Sequence, residues 1–164
     1  MRLLVAPARH VAALLAAHEV DLVVSLISPD AEPPKLQAAG PPGLILRFND
    51  IAEPREGLVS PSREIMETIL GLAQAPRTIL IHCHAGISRS TAAVYTLACQ
   101  EAGPGHEADL AMTLRALSAA ATPNPRMVAL ADDLLGREGK MISAIRAIGR
   151  GEEAYEGATI DWKF

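Results

Sequence analysis

Residues 78–90 of the chain read Thr-Ile-Leu-Ile-His-Cys-His-Ala-Gly-Ile-Ser-Arg-Ser. The first four residues form a short apolar run, which is typical of a strand that is buried on both faces of a sheet. Cys83 and Arg89 follow, with five residues between them, where this predicted strand gives way to a predicted helix. Strands and helices that alternate in this way form α/β sheets, which bind ligands beyond the carboxyl ends of their strands. The stretch therefore predicts both a fold class and the position of a site.

The spacing of cysteine and arginine suits the binding of a phosphate group. A loop of this length can curl so that successive backbone N–H groups point inward, and the following helix adds its positive N-terminal end. A thiolate at Cys83 would lie at the floor of this cup, stabilised by the N–H dipoles. The guanidinium of Arg89 matches two phosphate oxygens at once, and Gly86 permits positive φ and close approach of backbone. The pattern predicts a cysteine nucleophile for a phosphate monoester.

Residues 82–90 resemble the signature His-Cys-x5-Arg-Ser/Thr of the cysteine-dependent protein tyrosine and dual-specificity phosphatases. Every fixed position of that signature is present, namely His82, Cys83, Gly86, Arg89 and Ser90. The resemblance implies a small phosphatase that forms a phosphocysteine at Cys83. The phosphate-binding residues that it implies are His84, Ala85, Gly86, Ile87, Ser88 and Arg89. The alternative is a buried strand that ends in a structural cysteine.

A general acid has to come from another loop, because the leaving oxygen needs a proton. Asp50 is separated only by Asn49 from the end of the predicted strand at 44–48, and lies 33 positions before Cys83. In the family resembled, an aspartate at about this distance, on a loop after a strand, is the general acid. The alternative is that Asp50 only turns the chain, a common role for an Asn-Asp pair. The substitute candidates are Glu53, Glu56 and Asp30.

Four further residues are predicted to support the site. Ser90 could hydrogen-bond the sulfur of Cys83 and stabilise it as it leaves the phosphoenzyme, or could serve only as a helix N-terminal serine. His82 is predicted to orient the loop backbone rather than to act as a base. Asn124 would be an ordinary helix cap on sequence grounds, and the resemblance implies that it also holds the backbone of the phosphate loop. His84 occupies a variable position at the pocket mouth, where it contacts substrate or solvent.

The pattern of the whole chain predicts one α/β domain with a largely parallel central sheet of four to five strands flanked by helices. The predicted strands are residues 3–5, 21–28, 44–48 and 78–82. The predicted helices are residues 9–18, from Ser60 or Ser62 to about 75, 88–101, 106–121, 126–137 and 140–148. Residues 1–150 are assigned to the phosphatase domain and 151–164 to a C-terminal tail. Trp162 and Phe164 either dock this tail on the core or leave it mobile.

Composition restricts the classes of partner. Of 164 residues, 49% are hydrophobic and 21% charged, which is typical of a globular protein. The net charge of −4 argues against a general nucleic-acid binder, and the apolar stretches are too short for a membrane span. The apolar N-terminus is interrupted by Pro7, Arg9 and His10, which favours a first strand over a secretory signal. We therefore expect a cytoplasmic protein with no nucleic-acid or membrane partner.

Cysteine and histidine usage predicts neither a disulfide nor a metal site. The two cysteines form no Cys-x-x-Cys pair, and neither the five histidines nor the carboxylates show ligand spacing. Cys99 would lie roughly 16 Å along its helix from the Cys83 end, beyond the about 7 Å that a disulfide allows. We expect Cys99 to fill the core, Cys83 to be readily oxidised, and the protein to use no cofactor or metal.

The leading prediction is a phosphomonoester hydrolase that acts on a phosphorylated protein or another phosphomonoester. With 3% aromatic residues and no tyrosine before Tyr95, the chain has no aromatic loop to form a deep phosphotyrosine slot. Phosphoinositide and RNA 5′-phosphate phosphatases are alternatives, although Ala85 and Ile87 bring no charge to the loop. Rhodanese-type sulfur transfer is a further alternative. A pseudophosphatase that binds phosphate without turnover would be expected to lack the nucleophile, the arginine or the acid.

Overall fold

A computed structural model describes residues 1–36, 40–74 and 78–164 of the chain. Its five strands are β1 (Arg2–Pro7), β2 (Leu22–Ile27), β3 (Gly43–Arg47), β4 (Thr78–Cys83) and β5 (Ile160–Lys163). Its α-helices are α1 (Val11–Ala17), α2 (Arg63–Gly71), α3 (Arg89–Ala102), α4 (Glu107–Leu117), α5 (Pro125–Leu134) and α6 (Lys140–Ile148). Short 3-10 helices lie at Ala8–His10 and Leu72–Gln74. No helix in these described ranges is long and apolar enough to span a membrane.

The strands form one mixed sheet in the order β3-β2-β4-β1-β5. The first four of these are mutually parallel, and β5 pairs with β1 in the antiparallel sense. In the register, Pro7 lies beside Cys83 and Ser25 beside His82. The carboxyl ends of four strands therefore meet at the edge of the sheet where Cys83 lies. This confirms the predicted fold class, an α/β domain with a largely parallel sheet.

Helices cover both faces of the sheet unequally. Leu3 and Val5 of β1 point into the larger core, which α2 to α6 complete. The alternate residues Leu4 and Ala6 point to the opposite face, where Val11 of α1 covers them. Side chains of a strand alternate between faces, so a strand buried on both sides is apolar at every position. This explains why the centre of the sheet reads as continuous apolar runs.

Helix α3 is the central helix of the larger layer. Its residues from Arg89 to Cys99 are all buried, and it contacts α2, α4, α5 and β4. Small side chains such as Ala92 and Ala93 let the helix lie close to its neighbours. Cys99 is fully buried, and this burial raises the pKa of its thiol to about 12. Cys99 fills the core, as predicted.

The predicted elements match the structure closely, apart from one strand. Helix α6 has the predicted bounds, and the other helices and strands differ by a few residues at their ends. The predicted end of the second helix at about residue 75 lies outside the described residues. Strand β5 was not predicted, because four residues, Ile-Asp-Trp-Lys, give too short a pattern to distinguish from a loop. In the structure Ile160 and Trp162 are buried, so the end of the tail docks on the core.

A buried ion pair connects α3, α4 and the end of α5. Arg137 and Glu107 are both almost completely buried, with 3.5 Å between Nη1 and Oε1. Arg137 also donates through Nη2 to the carbonyl of Cys99 at 2.8 Å. The second carboxylate oxygen of Glu107 accepts the Gly105 N–H at 3.0 Å, and the hydroxyl of Tyr95 donates to the Glu107 carbonyl at 2.9 Å.

Arg137→Ala is expected to lower the free energy of unfolding by about 3–5 kcal/mol, because it leaves the buried carboxylate of Glu107 unpaired. Urea denaturation followed by circular dichroism measures this change. Arg146→Ala, on the exposed side of α6, is the matched control and is expected to change stability by no more than about 0.5 kcal/mol. Equal effects of the two substitutions would contradict a structural role for the pair.

Candidate active site

The Cys83 loop (residues 83–89) is held from outside through its carbonyl oxygens. Four of these oxygens accept backbone hydrogen bonds from three other parts of the chain. The bonds are Ala8 N–H to His84 O (3.1 Å), Gly157 N–H to Ala85 O (2.8 Å), Thr122 N–H to Ile87 O (2.9 Å) and Asn124 N–H to Ser88 O (3.3 Å). In a planar trans peptide, the N–H points away from the carbonyl. The outward carbonyls therefore turn the next N–H groups toward the inside of the loop.

One inward N–H of the loop contacts the sulfur. The N–H of Gly86 donates to Sγ of Cys83 at 3.3 Å. Gly86 has φ of 69°, the left-handed conformation that the sequence predicted it to permit. A Cβ at this position would also lie 2.8 Å from the backbone nitrogen of Pro7. Both the conformation and the close approach of β1 therefore require glycine here.

The sulfur of Cys83 lies at the end of β4 and faces the first turn of α3. Cys83 is 2% exposed, and its Sγ lies 3.1 Å from Oγ of Ser90. The structure thus brings together the predicted nucleophile and the predicted hydroxyl partner. Because α3 begins at Arg89, the positive end of its dipole also lies at this position and favours a negative charge on the sulfur.

Arg89 is fixed beside the loop by the end of β3. The residue is 5% exposed, and its Nη1 donates to the carbonyl of Phe48 at 3.0 Å. The guanidinium lies over the Phe48 ring at 5.9 Å from its centre. Nε lies 3.9 Å from Oδ2 of Asp50 and has no hydrogen-bond partner among the described residues. The arginine therefore keeps a free donor at the site, and Phe48, which the sequence did not single out, sets its position.

Asp50 is the carboxylate that the fold brings to the Cys83 loop. Its Oδ1 accepts hydrogen bonds from the hydroxyl of Ser88 and from Nδ2 of Asn124, both at 2.7 Å. The side chain is 35% exposed, so solvent and ligand reach it. The substitute candidates Glu53, Glu56 and Asp30 are exposed. Within the described residues, none of these three hydrogen-bonds to the Cys83 loop.

Asn124 connects α5 to two loops. Its Oδ1 caps α5 by accepting the N–H groups of Arg126 and Met127, each at 3.0 Å. Its Nδ2 donates to Asp50, and also to the carbonyl of Ile51 at 3.3 Å. The loop backbone is held by the main-chain N–H of Asn124 rather than by the side chain. The residue thus caps a helix, as the sequence predicted, and its side chain holds the loop that carries Asp50.

His82 is buried behind the loop. Its Nε2 lies 2.7 Å from the hydroxyl of Ser25 on the neighbouring strand β2. Burial lowers the pKa of His82 to about 4, so the imidazole is neutral at neutral pH. The sequence predicted a supporting role for His82 but missed Ser25. The signal for Ser25 was a single polar residue within the apolar run Leu-Val-Val-Ser-Leu-Ile.

Two cavities border the site. The smaller, of about 370 Å³, is lined by Arg89, His82 and the exposed His84, together with residues that follow β1 and β2. The larger, of about 680 Å³, is bordered by the Cys83 loop, by Asp50 and by the chain after α6. Its lining includes Asp50, Ile87, Ser88, Asn124, Arg150, Glu152, Glu153 and Tyr155. No motif in the sequence indicated that residues 150–155 form this wall, because only packing of the chain end brings them there.

The arrangement combines a thiol, a guanidinium and a carboxylate at one edge of the sheet. Among residues 1–36, 40–74 and 78–164, no three His, Cys, Asp or Glu side chains are grouped as a metal site would require. The structure places Cys83, Arg89, Asp50 and Ser90 together, with His82 and Asn124 beside them. A tetrahedral anion in the Cys83 loop would meet inward N–H groups and the free donor of Arg89, with the sulfur below it.

The pH dependence of stability tests the environment of His82. An unfolded histidine takes up a proton near pH 6.5, whereas buried His82 does so at about pH 4. The unfolded state therefore binds more protons within this window, and stability falls as the pH falls. Between pH 7 and pH 5 we expect His82 to account for a loss of about 2 kcal/mol in the free energy of unfolding, measured in urea.

The variant His82→Asn is expected to lose this part of the pH dependence. His106→Asn, at an exposed position, is the control and should keep it. If His82→Asn retained the pH dependence of the wild type, some other group would be responsible and the assignment to His82 would be wrong.

The fold is similar to that of solved structures of dual-specificity phosphatases and of a phosphatase-like protein. It is similar to the human tyrosine phosphatase-like serine/threonine/tyrosine-interacting protein (TM-score 0.62, 20% identity, 82% of this chain and 91% of that chain). It is also similar to DUSP15 (TM-score 0.62, 19% identity, 89% of each chain). A mouse putative dual specificity phosphatase complexed with zinc tungstate is a third neighbour (TM-score 0.54, 19% identity, 85% and 84%). No family model and no curated protein sequence matches. The chain has the fold of the dual-specificity phosphatases.

Proposed function

We propose that this protein is a cysteine-dependent phosphatase that hydrolyses phosphomonoesters through a phosphocysteine at Cys83. The observation that carries this proposal is that a thiol, a hydroxyl, a guanidinium and a carboxylate lie together at the Cys83 loop. The sulfur of Cys83 accepts the Gly86 N–H at 3.3 Å and lies 3.1 Å from the Ser90 hydroxyl. Arg89 and Asp50 lie beside the same loop, with 3.9 Å between Nε and Oδ2.

In the first step, the inward N–H groups of the Cys83 loop and the guanidinium of Arg89 bind the phosphate oxygens. They stabilise charge as it develops in the transition state. The thiolate of Cys83 attacks phosphorus in line with the ester oxygen, so a P–S bond forms as the P–O bond breaks. The leaving oxygen takes the bond electrons and a proton from the carboxyl group of Asp50.

In the second step, water replaces the leaving group. Asp50, now a carboxylate, takes a proton from the water as the water oxygen attacks phosphorus. The P–S bond breaks and its electron pair returns to the sulfur of Cys83. The hydroxyl of Ser90 stabilises the thiolate as it leaves. Inorganic phosphate is released, and the enzyme returns to its starting protonation state.

Ser88 and Asn124 hold Asp50 in reach of the loop for both steps. Their hydrogen bonds to Oδ1, both 2.7 Å, leave Oδ2 on the side of Arg89. A general acid has to be placed to within about an ångström to contribute fully. These bonds from the loop and the α5 cap supply that placement.

The surroundings of the loop support phosphorylated protein or another phosphomonoester as substrate. The cavity of about 680 Å³ is larger than a phosphate group and is open beside Asp50. Ala85 and Ile87 add no positive charge, which supports a phosphoinositide or an RNA 5′-phosphate less well. One fold neighbour is complexed with zinc tungstate, and tungstate is a tetrahedral oxyanion like phosphate. The cytoplasmic location and the lack of nucleic-acid or membrane partners stay predictions from composition.

Replacing the nucleophile tests the thiol mechanism directly. Wild-type protein is expected to release phosphate from an aryl phosphate without added metal, and Cys83→Ser is expected to abolish turnover. Cys99→Ser, which changes the other thiol, should keep most of the activity. Turnover that survives in Cys83→Ser would identify a different nucleophile. A folded wild type that binds tungstate without turnover would instead indicate a non-catalytic phosphate-binding protein.

Replacing the acid tests Asp50. Asp50→Asn is expected to lower kcat by about 10²–10⁴-fold for an alkyl phosphate, whose leaving oxygen needs the proton. The loss should be smaller for nitrophenyl phosphate, since nitrophenolate leaves without protonation. Steady-state kinetics on both substrates measures this difference, with the exposed Glu53→Gln as control. A loss of the same size on both substrates would mean that Asp50 only maintains structure.

A further inference from the structure

The chain between α6 and β5 lies against the outside of the Cys83 loop. Residues 149–159 are named here the C-terminal segment. Gly157 of this segment is buried, and its N–H donates to the carbonyl of Ala85 at 2.8 Å. A Cβ on Gly157 would lie 2.5 Å from the carbonyl oxygen of Gly86 and 3.2 Å from its carbonyl carbon. The two backbones therefore touch with no side chain between them.

Position 157 requires glycine because of its close contact with the backbone of the Cys83 loop, and not because of its own backbone conformation. Gly157 is absent from the residues with positive φ, so its φ does not require glycine. What an added methyl group meets is the main chain of the loop, which cannot turn aside like a flexible side chain. A substitution here therefore acts on the loop itself.

The peptide between Ala85 and Gly86 links the C-terminal segment to the sulfur. Its carbonyl accepts the Gly157 N–H, and its N–H donates to Sγ of Cys83 at 3.3 Å. The peptide is planar and rigid, so a rotation that moves one end moves the other. The bond from Gly157 thus determines where the N–H of Gly86 points.

The C-terminal segment is itself anchored along its length. Its contacts are Arg115 Nη2 to the Gly149 carbonyl (2.7 Å), Gly151 N–H to Thr122 Oγ1 (3.1 Å), Glu152 N–H to the Ala119 carbonyl (3.0 Å) and an ion pair between Arg9 and Glu156. Beyond it, β5 pairs with β1. These anchors hold Gly157 in place against the loop.

We propose that Gly157 is a positioning residue of the candidate active site. Its N–H fixes the Ala85–Gly86 peptide so that the Gly86 N–H stabilises the thiolate of Cys83. The inference rests on the proposed role of Cys83 as nucleophile. A hydrogen bond to a charged acceptor is roughly twice as strong as one between neutral groups, so misplacing this donor penalises the thiolate more than the thiol.

Gly157→Ala tests the proposal through ionisation of the thiol. The thiolate absorbs in the ultraviolet, so its titration is followed by absorbance against pH, with Cys83→Ser as the blank. The midpoint is expected to move up by about one pH unit in Gly157→Ala, as expected for one weakened hydrogen bond to a charged group. Gly71→Ala is the matched control, since a Cβ there meets nothing within 4 Å.

The outcomes separate this inference from the proposed phosphatase activity. A raised midpoint in folded Gly157→Ala supports the inference even if the wild type turns over no substrate. If the wild type is a phosphatase, kcat on an aryl phosphate should also fall at pH values below the new midpoint and recover above it. An unchanged midpoint in a folded variant, judged by circular dichroism, would overturn the proposal.

A measurement on the wild type covers the case in which Gly157→Ala does not fold. Coupling between sites is reciprocal, so an anion that tightens the loop should also strengthen the bond from Gly157. Saturation with tungstate is expected to slow hydrogen exchange of the Gly157 amide, measured by NMR. Slower exchange at Gly86 with no change at Gly157 would refute the coupling.

Discussion

The candidate site depends on the hydrogen bonds that the outward carbonyl groups of the Cys83 loop accept from the rest of the chain. A loop that points its N–H groups inward has to point its carbonyls outward, and buried carbonyls need donors. The fold supplies four of them, from the end of β1, the connection before α5, the cap of α5 and the C-terminal segment. Leaving one such group unpaired costs about 1–3 kcal/mol. Three distant parts of the chain therefore stabilise a backbone shape that seven residues alone would not keep.

Single residues that make several contacts also position the polar side chains of the candidate site. Asn124 caps α5 through its oxygen, holds Asp50 through its side-chain nitrogen and holds Ser88 through its main-chain N–H. Arg89 is oriented by the carbonyl and the ring of Phe48, which directly precede the loop of Asp50. The proposed acid and the residue that orients the proposed phosphate-binding arginine thus lie on the same stretch after β3, so a displacement of this stretch would move both.

The sequence was sufficient to predict features that depend on residues close together in the chain. The apolar run of β4, the residues after it and the Pro-Asn-Pro start of α5 are each recognisable within a few positions. The choice of Asp50 depended instead on its distance from Cys83, which matches the family resembled. Contacts between distant residues were not accessible in this way. Ser25 pairs with His82 across 57 positions, and the four residues of β5 become a strand only because the exposed edge of β1 is next to them. Gly157 has no motif at all, since its need for glycine comes from a neighbour rather than from its own φ.

Both ends of the chain therefore act on the candidate nucleophile through backbone. Ala8, just after β1, holds the carbonyl of His84, and Gly157, just before β5, holds that of Ala85. Because β1 and β5 pair side by side, these two donors lie next to neighbouring strands of the sheet. A change that separates β5 from β1 would remove one of the contacts that hold Gly157 against the loop, whereas β1 would stay paired with β4. The pairing of β5 with β1 is thereby connected, through Gly157 and the Ala85–Gly86 peptide, to the backbone N–H that contacts the sulfur of Cys83.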